Sequence, residues 1–184
     1  MSDTPTPTPA RRVALVANTS FYVGPPLARL LAAAGHDLVV GDPEDGLVDQ
    51  LEAAGATVEA VTDVWDLADP ASSRRLVDAG LERFGRLDSA VMFSGRVVTG
   101  RFLDSSIDDL REVVGGCLES PFHFLQATLP PMVRAGIGQV LVITSASGAR
   151  PTPGAPLYSA TRAGANHLVR TAAGEMARHG VQVL

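Results

Sequence analysis

A single cysteine, Cys117, among 184 residues excludes an internal disulfide and makes a reducing cytoplasm the natural compartment. Nowhere does an apolar run approach the ~18–20 residues that a bilayer-spanning helix needs. The first ten residues, Met1 to Ala10, alternate threonine with proline and hold no apolar segment. That composition rules out a secretory leader and predicts an extended tail over 1–10. Basic runs are missing too: 15 Lys and Arg stand against 20 Asp and Glu, a net charge of −5, which argues against nucleic acid or an anionic membrane as partner. With one thiol and four scattered histidines (His36, His123, His167 and His179), no ligand cluster for a metal is expected. No internal repeat is visible.

What is present is a chain of 46% hydrophobic and 19% charged residues, enough for one domain over 11–184 with a full core. Short apolar runs alternate with helical patterns. The expected strands are Val13–Ala17, Asp37–Val40, Thr57–Val61, Leu87–Phe93, Gln139–Thr144 and the beginning of a sixth at Val181–Leu184. Between them lie expected helices over Pro25–Ala34, Gly46–Ala54, Pro70–Phe84, a long Ser106–Ala135 and Tyr158–His179, several closed by a glycine. Strict alternation with near-continuously apolar strands means an α/β domain, a doubly wound, Rossmann-like parallel sheet covered on both faces. Such sheets bind ligands outside the carboxyl ends of their strands. The chain stops four residues into the sixth strand, so the expectation is a fold truncated there, with its C-terminal part missing.

One constellation carries chemistry. Ser145 follows the fifth strand; twelve residues separate it from Tyr158, and three more separate Tyr158 from Arg162. Residues four apart share a helix face, so Tyr158 and Arg162 can point together at the serine. A fixed cation beside a phenol favours phenolate, which equips a tyrosine to give and take protons. The serine hydroxyl would hold a substrate oxygen. Together they read as a site for proton transfer at a hydroxyl.

From Arg12 to Leu184 the sequence resembles the short-chain dehydrogenase/reductase superfamily, in motif order as well as type. The Ser145–Tyr158 spacing, Gly85-Arg-Leu-Asp88 before the fourth strand and Asp63-Val64 after the third all match. Several family signatures differ. Asn18 and Tyr22 stand where the first two glycines of the nucleotide-binding turn belong, and only Gly24 is kept. Met92-Phe93-Ser94-Gly95 replaces the Asn-Asn-Ala-Gly run, Cys117 the relay asparagine, and Arg162 the active-site lysine. These departures resemble the halohydrin dehalogenase branch, which has a Ser–Tyr–Arg triad and an aromatic-x-Gly pattern such as Tyr22-Val-Gly24. The same branch shares Tyr158–Ala165 and Leu129-Pro-Pro-Met132, though Ala17 stands where its threonine is usual.

That resemblance implies a cofactor-free lyase. Tyr158, helped by Arg162, would deprotonate a β-haloalcohol held on Ser145; the alkoxide would displace halide into a pocket at Tyr22 and Gly24, and small anions would open the epoxide in reverse. It also implies a homo-oligomer, in the superfamily often a tetramer, built on the long helices. The alternative is an NAD(P)-dependent oxidoreductase of a small alcohol or ketone, with NAD held by Asn18, Gly24, Asp42 and Asp63. Asp42 also reads as an exposed turn residue, Asp63 as a turn start and Cys117 as a small buried hydrophobe. A second alternative is a non-catalytic, truncated scaffold.

Overall fold

The computed structural model describes residues 11–184, and the expected tail over 1–10 lies outside them. Six parallel strands form one sheet in the order β3-β2-β1-β4-β5-β6: β1 Arg12–Val16, β2 His36–Gly41, β3 Val58–Val61, β4 Ser89–Phe93, β5 Gly138–Ile143 and β6 Val181–Val183. The helices are α1 Gly24–Ala33, α2 Leu47–Ala53, α3 Pro70–Phe84, α4 Ile107–Val114, α5 Ser120–Ala135 and α6 Pro156–Met176. Strand order runs outward in both directions from the β1–β4 pair, which meets over Ala14–Val16 and Ser89–Val91. A crevice opens above such a reversal, because the connections on either side leave it in opposite directions.

The period of two along each strand divides the core. Val13, Leu15 and Val39 enter one apolar layer with Leu76, Phe124, Met132 and Val169 from α3, α5 and α6. Ala14, Leu38 and Val40 point the other way, onto Ala28, Ala32, Leu47 and Leu51 of α1 and α2. Full cover on both faces, expected from the sequence, holds only in part. The second layer spans β1–β3, whereas on β5 and β6 that side carries the exposed Gln139 and Gln182 and the half-buried Leu141 and Ile143.

Local signals place most helix ends. Asp69 accepts the Ala71 amide ahead of Pro70, and Gly85 closes α3 in the left-handed conformation. The long, mostly helical region expected over 106–135 is helical without a break from Ile107 to Ala135, with a π-helical turn inside it. A capping box of Ser106 and Asp109 starts α4, a π-helical turn runs over Gly115–Glu119, and α5 follows. Pro121 cannot donate to the carbonyl four residues back, and Ser120 Oγ instead donates to Gly115 O at 3.1 Å, so the spiral widens at its glycines.

Candidate active site

Ser145 lies just beyond β5 in extended backbone, and its Oγ accepts the Ser147 amide at 3.2 Å. Because α6 starts at Pro156, Tyr158 and Arg162 fall in its first two turns, on the face toward β4 and β5. The Arg162 side chain runs beneath Tyr158, with the guanidinium carbon 5.2 Å from the ring centre. Its Nη2 donates to the Ser94 carbonyl beyond β4. Gly95 makes that path possible: at φ +153°, a Cβ there would strike the guanidinium. Arg162 is only 3% exposed, yet its Nε and Nη1 have no partner, and neither has the buried Ser94 Oγ. A buried charge held by one carbonyl is costly unless something else meets it.

Ser145, Tyr158 and Arg162 all line one cleft of about 620 Å³ over the carboxyl ends of the strands, and Asn18 and Tyr22 line it too. Tyr22 adopts φ +56°, the left-handed backbone that a glycine would supply. Its ring is 70% exposed and packs edge-on against Phe93, 5.6 Å between centroids, with Phe21 on the same Phe93 at 5.4 Å. Tyr22 therefore both faces the cleft and covers part of it. Asn18 is buried, its Oδ1 accepting the Ser20 amide and hydroxyl at 3.0 and 2.9 Å. Gly24 sits behind the lining, where a Cβ would come within 2.9 Å of Thr19 Cα and closer still to the Asn18 carbonyl.

Asp42 and Asp63 are not on the cleft. The Asp42 carboxylate accepts the amides of Asp63 and Val64 at 2.7 and 3.0 Å, pinning the loop after β3 to the end of β2. Asp42 is thus a half-buried tie, which corrects its reading as an exposed turn residue. Cys117 is fully buried, as expected of a small apolar side chain, and its Sγ lies 3.6 Å from the Arg96 carbonyl.

A short chain dehydrogenase family model matches residues 12–184, the sheet, the crevice and the three site residues together. The chain belongs to the short chain dehydrogenase family. It is 34% identical to an uncharacterized NAD-dependent oxidoreductase of Mycobacterium tuberculosis, over 94% of this chain and 68% of that protein. It is 30% identical to the 2,5-dichloro-2,5-cyclohexadiene-1,4-diol dehydrogenase LinX of Sphingobium indicum, over 95% and 70% of the two chains. Among solved structures, acetoin dehydrogenase from Enterobacter cloacae superposes with a TM-score of 0.85 at 28% identity, covering 95% of this chain and 73% of that one. These relatives are named oxidoreductases and dehydrogenases. The placement in the halohydrin dehalogenase branch is corrected accordingly: the departures at Asn18, Tyr22 and Arg162 occur in a chain whose named relatives are of the oxidoreductase kind.

Members of this family that transfer hydride hold a nicotinamide dinucleotide, and the two ends of the cleft answer that requirement differently. At the reactive end, Ser145, Tyr158 and Arg162 line the cleft, where polar groups suit the hydroxyls of a ribose or substrate. At the diphosphate end the fit is poorer. The first turn of α1 has no free amide: Gly24 N–H goes to Phe21 O, Pro25 and Pro26 have no N–H, and Leu27 N–H goes to Val23 O. The Tyr22 ring lies over the same crevice. The sequence reading missed these prolines, and it missed Phe21 and Trp65, which join Tyr22, Phe93 and Tyr158 on the cleft. The signal was there to count: five of the chain's nine aromatic residues follow strands or open α6. The basic residues carried another, since the chain has no lysine at all and the cation at position 162 is one of fifteen arginines.

Proposed function

We propose that this chain is an oxidoreductase of the alcohol–carbonyl class, and that Tyr158, Arg162 and Ser145 carry its proton-transfer half. The observation that supports this most is the buried, under-partnered Arg162 guanidinium beneath the Tyr158 ring, inside the crevice at the strand reversal. The names of the relatives favour the same class. Tyr158 Oη exchanges a proton with the substrate oxygen, donating it to a carbonyl or removing it from a hydroxyl. The Ser145 hydroxyl donates a hydrogen bond to that oxygen and fixes its position. Arg162 acts on the phenol: a permanent positive charge in a dry site stabilises the phenolate that remains once the proton has left. In this class a nicotinamide supplies or accepts the hydride when bound. The residues named here are assigned the proton alone.

The test is turnover of NADH with a panel of small ketones, and of NAD with the matching alcohols. Tyr158→Phe is expected to lower the rate by about 10²–10⁴-fold, the usual worth of a positioned acid or base. Nucleotide-coupled turnover that survives Tyr158→Phe intact would sink the assignment. So would a folded protein with no nucleotide-coupled turnover on any member of the panel, which would instead favour a non-catalytic scaffold.

A further inference from the structure

We infer that the half of the cleft where a diphosphate would lie is a seat for a planar, uncharged ring of the substrate. The inference rests on the oxidoreductase reading only for the place of the reacting oxygen, beside Ser145 and Tyr158. Its basis is the wall opposite them. Phe21 and Tyr22 from the loop after β1, Trp65 from the loop after β3 and Phe93 at the end of β4 all face one 620 Å³ space. A space of that size is ample for a small organic molecule. Phe93 is the hub, with Phe21 and Tyr22 set on it at 83° and 72° between ring planes. Edge-on packing leaves ring faces free for a ligand to stack on. Trp65 is 62% exposed although it is the largest apolar side chain in the sequence, and Arg96 lies over its ring at 5.5 Å.

The backbone points the same way, since the first turn of α1 offers no free amide. Of the charged groups on the cleft, Arg96 is engaged with Trp65 and lies 3.8 Å from Glu112, Arg162 is buried beneath Tyr158, and Asp66 is negative. A diphosphate would meet an aromatic wall. A flat neutral ring would meet several apolar rings, and a carbonyl or hydroxyl on it would reach toward Tyr158.

Trp65 is the only tryptophan, so its fluorescence reports on this wall directly. The probes are 1-indanone, a planar ring ketone, then cyclohexanone, inorganic pyrophosphate and NADH, each titrated by fluorescence and by calorimetry. 1-Indanone is expected to bind saturably and to change Trp65 emission, with cyclohexanone about tenfold weaker and pyrophosphate without effect. Phe93→Ala should weaken 1-indanone about tenfold. Tyr22→Gly should weaken it about threefold; glycine takes φ +56° without strain, so this variant stays folded even if Phe93→Ala does not. Absence of 1-indanone binding, equal affinity for cyclohexanone, no loss in Tyr22→Gly, or pyrophosphate binding by the unaltered protein would each overturn the inference. The two readings fail separately. 1-Indanone binding without NADH-coupled turnover keeps this inference and defeats the oxidoreductase reading, whereas NADH-coupled turnover without 1-indanone binding does the reverse.

Discussion

Replacing Arg162 by methionine should make the ligand-free protein more stable and, on the reading above, inactive. The guanidinium is 3% exposed and has one recorded hydrogen bond, from Nη2 to the Ser94 carbonyl, plus its contact with the Tyr158 ring. Those interactions contribute roughly 1.5–3 kcal/mol for a charged hydrogen bond and ~0.5–2 kcal/mol for the ring. Against them stand two buried donors without partners, Nε and Nη1. Each costs roughly 1–3 kcal/mol, and taking the whole charge out of water costs several kcal/mol more. Methionine keeps an unbranched apolar stem in the same channel and removes the charge and both orphan donors. The balance favours the variant by about 1–3 kcal/mol. For a domain of this size that is a rise in Tm of about 2–10 °C. Thermal unfolding followed by circular dichroism reads it, with the oxidoreductase assay run alongside. A lower Tm would refute the reasoning, because it would mean that the guanidinium is well satisfied and is a structural strut. A higher Tm with unchanged activity would refute the catalytic half alone.

Gly24→Ala should cost about 3 kcal/mol in denaturant titration, because its Cβ would press on the backbone of Asn18 and Thr19, which cannot swing aside. Asp88 gives a pH test. Burial disfavours its charged form, but the Arg86 guanidinium and the Val13 amide outweigh burial and hold its carboxyl below the usual range. A group held low in the fold stabilises fully above its unfolded value of ~3.9, and that share is lost as pH falls through the folded value. Asp88→Asn should therefore cost about 1 kcal/mol near neutral pH, with the gap to the unaltered protein closing below about pH 3; a constant gap across that range would contradict the sign.

The strands were legible because parallel strands buried on both sides read as apolar runs, and each observed strand falls within a residue or two of its expected span. Ser145, Tyr158 and Arg162 were legible because a strand end and a helix turn fix their spacing; the structure brings all three to one cleft. What could not be read is what depends on chain crossings. The Ser94 carbonyl meets Arg162 across 68 positions, and Phe21, Trp65 and Phe93 line one cleft only because the ends of β1, β3 and β4 lie on the same edge of the sheet. The long helix was legible as one helical stretch, and only the π-helical turn inside it, at Gly115–Glu119, was not read, since apolar periodicity continues through it. The dehalogenase placement failed differently. It weighed the side chain at Tyr22, whereas the backbone there takes the left-handed conformation that a glycine would supply.

The short β1–β4 ladder has a consequence for how the molecule breathes. Within the sheet it joins the half built from β1–β3 to the half built from β4–β6 over Ala14–Val16 and Ser89–Val91, while β1–β2 and β4–β5 each pair over five positions. The cleft stands on that seam, its walls drawn from both halves. Any molecule seated there couples them, so its binding free energy adds to the cost of parting the sheet at its middle. Amide exchange at Ala14–Val16 and Ser89–Val91 should slow as ligand is added, while exchange within the outer pairs changes little. Occupancy of the site and integrity of the sheet are, for this fold, the same equilibrium seen from two sides.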